Sequence, residues 1–352
     1  MAQHEMSRRE LLETSVAASV GAALAGGVAS RAEQAAPAST QAAKGRLIWA
    51  NLLHLSYNMW CDWDSPEWPA EYGAHQSDLR FEQKLWDELL RKMVDVGMTM
   101  VVIDLGDGVR YQSHPEIAVN KAWSVDQLKS ELAKIRKMGL EPIPKLNWSA
   151  SRDAWLGKYS RCVSTDAYYA VCRDLIAEVI QLFDKPRFFH LGMDEEEEEF
   201  QKYYQYMVVR QFDLWWHDFL FLVEQVTRGG SRPWIWSDCL WRHPEEFYKR
   251  MPKTVVQGNW YYDTKFTPEV IPVKAYHDLD QHGYDLIPTG SNWSSPESFG
   301  LTVDYCGQHL SRERLLGFLQ TPWKPTLEAC RQRHIEAIEQ AGRAITKWSS
   351  GV

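Results

Sequence analysis

From Leu47 onward, short apolar runs rich in β-branched and aromatic residues alternate with stretches whose apolar positions recur at helical spacing. Eight runs read as strands: Leu47–Leu55, Met98–Leu105, Glu141–Asn147, Arg187–Met193, Arg232–Ser237, Thr254–Trp260, Asp285–Thr289 and Leu315–Gln320. Between them, Leu128, Leu132, Ile135 and Met138 fall on one helical face. Ser124 with Gln127 gives that helix a capping box, and Gly139 stops it. Val171, Leu175, Val179 and Phe183 mark another helix, closed by Asp184-Lys185-Pro186. Leu214, Phe221 and Val226 lie in a third, and a final helix is expected from Thr326 to Lys347. Strand followed by helix, eight times, is the pattern of an α/β chain folded as a (β/α)8 TIM barrel over residues 46–352. The alternative, a doubly wound open sheet, lacks a Gly-rich nucleotide loop after any strand.

The segment before the barrel reads as an address. Ser7-Arg8-Arg9-Glu10-Leu11-Leu12 and the mild Ala/Gly/Val/Leu run to Ser30 have the form of a Tat-type signal peptide over residues 1–30. Residues 31–45, rich in Ala, Gln and Ser, read as a linker. The expectation is export through the Tat machinery to the periplasm or beyond, with no stable membrane insertion after processing. Six cysteines make no Cys-x-x-Cys pair, which leaves a zinc ribbon or redox motif without support.

Composition narrows the chemistry. The chain of 352 residues is 45% hydrophobic and 24% charged, ordinary for a globular protein, and its net charge of −8 with no dense Lys/Arg stripe argues against a nucleic-acid partner. The 17 tryptophans exceed what a core needs. Flat aromatic faces suit a pocket that stacks on a ring-shaped ligand.

In a TIM barrel the chemistry sits where strands end. Asp104, Asp107 and Arg110 follow the second strand, and Asn147 and Trp148 end the third. His190-Leu191-Gly192-Met193-Asp194-Glu195 ends the fourth. Trp236-Ser237-Asp238 ends the fifth, Trp260-Tyr261 the sixth, Asn292-Trp293 follows the seventh and Trp323 the eighth. Carboxylates between Trp walls are what glycosidic cleavage requires: a stacking surface for the sugar and an acid for the leaving oxygen. Side chains adjacent on a strand point to opposite faces, so Asp194 and Glu195 can share a pocket only where the strand is ending. Glu196 to Glu199 read as a solvated face or helix start.

From about Leu47 to Ala344 the chain resembles the catalytic barrel of glycoside hydrolase family 20, the β-N-acetylhexosaminidases. Phe188-Phe189-His190-Leu191-Gly192-Met193-Asp194-Glu195 is similar to that family's His-x-Gly-Gly-Asp-Glu signature. Gly139-Leu140-Glu141-Pro142-Ile143-Pro144-Lys145-Leu146-Asn147 resembles its strand-3 segment. Asp107-Gly108-Val109-Arg110-Tyr111 with His114-Pro115-Glu116 resembles its strand-2 loop, and Trp236-Ser237-Asp238 its Trp-x-Asp/Glu. The resemblance implies substrate-assisted hydrolysis, in which the 2-acetamido oxygen attacks the anomeric carbon. It makes Glu195 the general acid/base, Asp194 the group that orients the acetamide and His190 their support. It makes Trp236, Trp260 and Trp323 pocket walls, and Asp107 and Arg110 candidates for holding the strand-2 loop in place, Arg110 equally as a surface ion pair. Asp238, Tyr261, Trp293, Asn147 and Trp148 join the candidate substrate-binding set from their places at the strand ends. It implies a carbohydrate substrate, no cofactor and no metal.

Several positions depart from the family pattern. Met193 replaces the second Gly, and Lys145 and Asn147 replace a Glu and an Asp. Trp148-Ser149-Ala150 stands where the family has Pro-Gly-His. No Tyr near Asn292-Trp293 matches the one that binds the acetamido group. A glycosidase of other sugar specificity and a non-catalytic carbohydrate-binding barrel are the alternatives. A Gly-x-Ser-x-Gly elbow and a His-Glu-x-x-His zinc motif are both absent.

Overall fold

The computed structural model describes residues 47–63 and 71–351; the expected signal peptide and linker lie outside the described residues. Eight parallel strands are β1 (Ile48–His54), β2 (Met100–Asp104), β3 (Glu141–Lys145), β4 (Phe188–His190), β5 (Arg232–Trp236), β6 (Val256–Gly258), β7 (Thr289–Ser291) and β8 (Gly317–Thr321). They pair in chain order, and β8 returns to pair with β1. The seam between β6 and β7 is closed by shorter pairing. Gln257 N–H donates to the Asp285 carbonyl at 2.9 Å, Ile287 N–H to Gln257 at 3.0 Å and Thr289 N–H to Asn259 at 2.9 Å. The fold is a (β/α)8 barrel.

Strand side chains alternate between two cores, as the period of two requires. Ile48, Ala50 and Leu52 point into the barrel with Met100, Val102, Ile143, Phe188, Trp234, Val256 and Leu319. Trp49, Leu53, Val101 and Ile103 face the helices. Both faces are buried, which is why the strands read as continuous apolar runs. The seventh run is displaced: Asp285–Thr289 was expected, and regular pairing occupies Thr289–Ser291. Pro288 has no N–H to give the ladder. Its carbonyl still accepts from Leu319 N–H at 3.0 Å, and Leu286 makes only isolated bridges.

The helices are α1 (Gln83–Asp95), α2 (Val125–Lys137), α3 (Asp166–Leu182), α4 (Glu198–Gln201), α5 (Phe212–Arg228), α6 (Cys239–Arg242), α7 (Pro244–Arg250), α8 (Ile271–Gln281), α9 (Ser298–His309) and α10 (Arg331–Ser350). Ser124 Oγ accepts from Gln127 N–H at 3.1 Å and caps α2. Asp184 and Lys185 end α3 with positive φ, at 56° and 52°. The last helix starts later and runs further than its apolar spacing suggests, a 3-10 turn at Glu328–Cys330 taking its first residues. No described helix is long and apolar enough to cross a membrane, and the described residues contain no disulfide.

Candidate active site

The chain leaves β4 through a tight left-handed turn. Gly192, Met193 and Glu195 have φ of 72°, 75° and 51°. Consecutive positive φ values are costly for residues with side chains, and they break the alternation that would send Asp194 and Glu195 to opposite faces. Asn147 at the end of β3 holds the turn. Its Oδ1 accepts from Met193 N–H at 3.1 Å and from Ser149 N–H at 3.1 Å, and its Nδ2 donates to Asp194 Oδ1 at 2.7 Å. A Cβ on Gly192 would sit 2.0 Å from Asn147 Oδ1, so only glycine fits there. Ser149 Oγ donates to the Asp194 carbonyl at 2.6 Å. Across the site, Asp238 Oδ2 accepts from Glu195 N–H at 2.8 Å and its Oδ1 from Trp260 Nε1 at 3.3 Å.

Arg152, from the loop after β3, sits against both carboxylates. Its Nη2 donates to Glu195 Oε2, and its Nε lies 3.8 Å from Asp194 Oδ2. Burial pushes the Glu195 carboxyl above its ordinary range, Arg152 pulls it back and Asp194 pushes it up again; the net shift is upward. Asp238 is pushed well above the usual carboxylate range by burial and by Asp194. His190 is buried and driven well below its ordinary value by desolvation, with the Lys145 charge adding to the effect. It is therefore neutral. Its Nδ1 accepts from Gly192 N–H at 3.0 Å, which puts its proton on Nε2.

Beneath the carboxylates lies a charged layer inside the barrel. Lys145 Nζ donates to Asp104 Oδ2 at 2.5 Å, and His54 Nδ1 is 3.4 Å from the same oxygen; all three side chains are almost completely buried. Burial alone would raise Asp104, but Lys145 and His54 hold it below the usual carboxylate range. His190 packs on the Trp236 ring at 4.3 Å between this layer and the cavity.

The cavity above is about 820 Å³ and is walled by Trp60, Trp236, Trp241, Trp260, Trp293 and Trp323 with Tyr57, Tyr261 and Tyr262; Arg152, Asp194 and Glu195 face it. Trp323 Nε1 donates to Tyr262 Oη at 3.1 Å, and Tyr262 stacks on Trp260 at 5.1 Å. One side is clasped by two loops. Tyr204 Oη donates to the Met59 carbonyl at 2.8 Å, and Trp63 Nε1 to the Tyr203 carbonyl at 2.8 Å. An acid pair at one end of an aromatic chamber of this size can hold a ring and protonate a substituent on it.

The structure brings together Asp194, Glu195, Trp236, Trp260, Tyr261, Trp293 and Trp323 at the cavity, with Trp293 at its rim. Asn147, Asp238 and His190 support them from behind. Three expected site residues lie elsewhere. Trp148 follows Asn147 directly and takes the opposite face, packing on Trp155 at 5.2 Å in the helix-side core. Asp107 lies under the β1 loop, where it accepts from Ser56 Oγ and, at 3.0 Å, from Asn58 Nδ2. Arg110 is exposed and outside the cavity lining. In the acidic run, Glu198 and Glu199 are exposed in the first turn of α4, a helix start as read. Glu196 departs from that reading: its side chain is 9% exposed, paired with Arg210 at 2.8 Å and bonded by Trp215 Nε1 at 2.6 Å. Sequence reasoning missed Trp60, Arg152, Trp241 and Tyr262. Tyr262 adjoins the sixth strand's Trp260-Tyr261; the other three lie deeper in loops or in a short helix.

A parallel barrel with paired carboxylates at the C-terminal ends of its strands places this chain among TIM-barrel proteins with an aromatic-walled cavity there. No protein-family model matches it, and no curated protein matches it in sequence. Solved structures do match in fold. A Streptomyces plicatus β-hexosaminidase mutant in complex with product (GlcNAc) superposes at TM-score 0.58 with 14% identity, over 87% of this chain and 66% of that one. A Flavobacterium johnsoniae chitobiase gives TM-score 0.55 and 17% identity over 85% of this chain. The chain spans about half of that chitobiase, 48% of its length. A glycoside hydrolase family 20 β-N-acetylglucosaminidase gives TM-score 0.55 and 11% identity, over 83% of this chain and 69% of that one. The shared feature is the barrel of the family 20 glycoside hydrolases.

Proposed function

We propose that this chain is a glycoside hydrolase that removes terminal β-linked N-acetylhexosamine by substrate-assisted retaining hydrolysis. The observation that carries this reading is the left-handed turn that sets Asp194 and Glu195 side by side in a Trp-walled cavity. Glu195 gives its proton to the glycosidic oxygen as the bond to the anomeric carbon breaks. The substrate's acetamido oxygen attacks that carbon from the other face, forming a cyclic oxazolinium ion and releasing the aglycone alcohol. Asp194, oriented by Asn147, accepts the acetamide N–H and offsets the positive charge that develops there. Water then opens the ring, giving its proton back to Glu195 and regenerating the acetamide with retained configuration. Trp236, Trp260 and Trp323 stack on the sugar and exclude solvent.

The test is hydrolysis of matched aryl β-glycosides, N-acetylglucosaminide and glucoside, with Glu195→Gln as control. Release from the N-acetyl sugar alone, lost in the variant, supports substrate assistance. Release from the glucoside supports the second reading, a glycosidase of different sugar specificity. That reading is favoured by Arg152 beside Glu195 and by Asn147 in place of the family's Asp. Ligand binding without release from either supports a binding barrel. We also propose Tat-dependent export, supported by Arg8-Arg9 and the apolar run behind them. Retention of an Arg8→Lys/Arg9→Lys double variant in the cytoplasm is the expected result of cell fractionation.

A further inference from the structure

Arg152 is the one cation in direct contact with both site carboxylates among the described residues, and the hydrolysis proposed above gives it no role. Its side chain is 2% exposed. The guanidinium lies over Trp60 at 4.6 Å and Phe200 at 5.1 Å, and both rings line the cavity. Its Nη1 donates to the Ser151 carbonyl at 2.7 Å, so one edge is anchored to its own loop. The other edge takes Glu195 Oε2. Loops from β1, β3 and β4 therefore meet at this one group.

A carboxylate engaged by a guanidinium is a poor proton donor, because the pair stabilises its ionised form. We infer that Arg152 is a positioning residue that engages the Glu195 carboxylate when no sugar is present and must release it before Glu195 can protonate a leaving group. The inference rests on the hydrolytic reading of the site. Asp238 from β5 and Tyr262 from β6 also face Glu195, and burial pushes both towards their neutral forms. Asp194, which precedes Glu195, and Glu197, which follows it on the same loop, favour its neutral form. Arg242 does not offset them, since it is committed to Glu197 at 3.0 Å. A sugar ring entering the cavity beside Trp60 meets the wall on which the guanidinium rests, which couples entry of substrate to release of the acid.

A merely structural Arg152 would tie loops together, and its loss would lower stability and scale activity equally at every pH. The distinguishing readout is the protonation of Glu195 itself, taken in the full ligand-free protein. Infrared difference spectra against Glu195→Gln, stepped through pH, follow its carboxyl stretch. In Arg152→Gln, and in the closer-shaped Arg152→Met, the midpoint is expected to rise by about one pH unit or more, a tenfold gain in proton affinity. Arg152→Lys is expected to fall between these variants and the wild type. An unchanged midpoint in folded Arg152→Gln or Arg152→Met overturns the inference. If neither variant folds, the wild-type protein decides through the NMR signal of Arg152 Nε–H. That signal is expected to titrate with Glu195 and to lose the titration in Glu195→Gln; indifference to Glu195→Gln overturns the inference. None of these measurements uses turnover, so absence of N-acetylglucosaminidase activity would defeat the proposed function and leave this result standing.

Discussion

Asn147 Nδ2 donates to Asp194 Oδ1 at 2.7 Å while Asn147 Oδ1 accepts the Met193 N–H at 3.1 Å. One side-chain amide thus fixes both the Asp194 side chain and the strained turn that carries it. Asn147→Asp changes a single group and reverses the first contact. Two carboxyl oxygens would then face each other at hydrogen-bond distance, and one must hold a proton. Activity on an aryl N-acetylglucosaminide is expected to fall about 100-fold at neutral pH, with partial recovery under more acidic conditions where the pair can share a proton. A pH–rate profile parallel to that of the wild type would sink this account.

Gly192→Ala tests the same turn from the other side. The new Cβ would stand 2.0 Å from Asn147 Oδ1 and 2.8 Å from Asn147 Cα, at a φ of 72°. Neither the side-chain nor the backbone neighbour can yield without moving Asp194. The expected loss of stability is at least about 2 kcal/mol, read as a lower urea midpoint at unchanged slope. Wild-type stability in this variant would mean that the turn is looser than its geometry implies.

How much of this was legible in the chain follows from distance to a strand end. The barrel was readable because each strand is buried on both faces and so shows as an uninterrupted apolar run. Only the seventh, broken by Pro288, was placed early. Asn147, Asp194 and Asp238 were readable because they lie within four residues of a strand end. Trp148 was misread because two consecutive residues were both sent to the pocket, where the backbone allows one. Arg152 and Trp60 sit further into irregular loops, where no period reports which way a side chain points. Glu196 looked like part of a solvated run because its buried partners, Arg210 and Trp215, come fourteen and nineteen residues later.

The buried Lys145–Asp104 pair carries a stability prediction. Both side chains are almost wholly enclosed, with His54 at the same oxygen. Removing one partner leaves the other charge unpaired in the barrel, which costs about 3–5 kcal/mol. Lys145→Met and Asp104→Leu alone are each expected to show that loss in chemical unfolding. The Lys145→Met/Asp104→Leu double variant is expected to recover most of it, since apolar replacement of a whole buried pair is often neutral. Additive losses in the double variant would show that the two groups act separately.

Asp107 supplies a pH dependence. Burial raises its carboxyl to about 6 against the opposing hydrogen bonds of Ser56 and Asn58 and the charge of Arg80. The unfolded chain releases that proton at the ordinary value of 3.8. Between those values the folded state binds more protons, so stability falls as pH rises through this window and levels off above it. Asp107→Asn removes the titration and keeps the contacts. Its oxygen can accept from Asn58, and its amide can donate to the Ser56 hydroxyl, which serves equally as acceptor. The stability of Asp107→Asn relative to wild type is therefore expected to climb from pH 4 to pH 6 and then stay constant, measured by urea unfolding at each pH. A flat difference across that range would show that Asp107 is ionised throughout. The carboxylate would then be the group that holds Ser56 and Asn58 on either side of Tyr57, whose hydroxyl donates to the Trp323 carbonyl at 2.8 Å at the cavity wall.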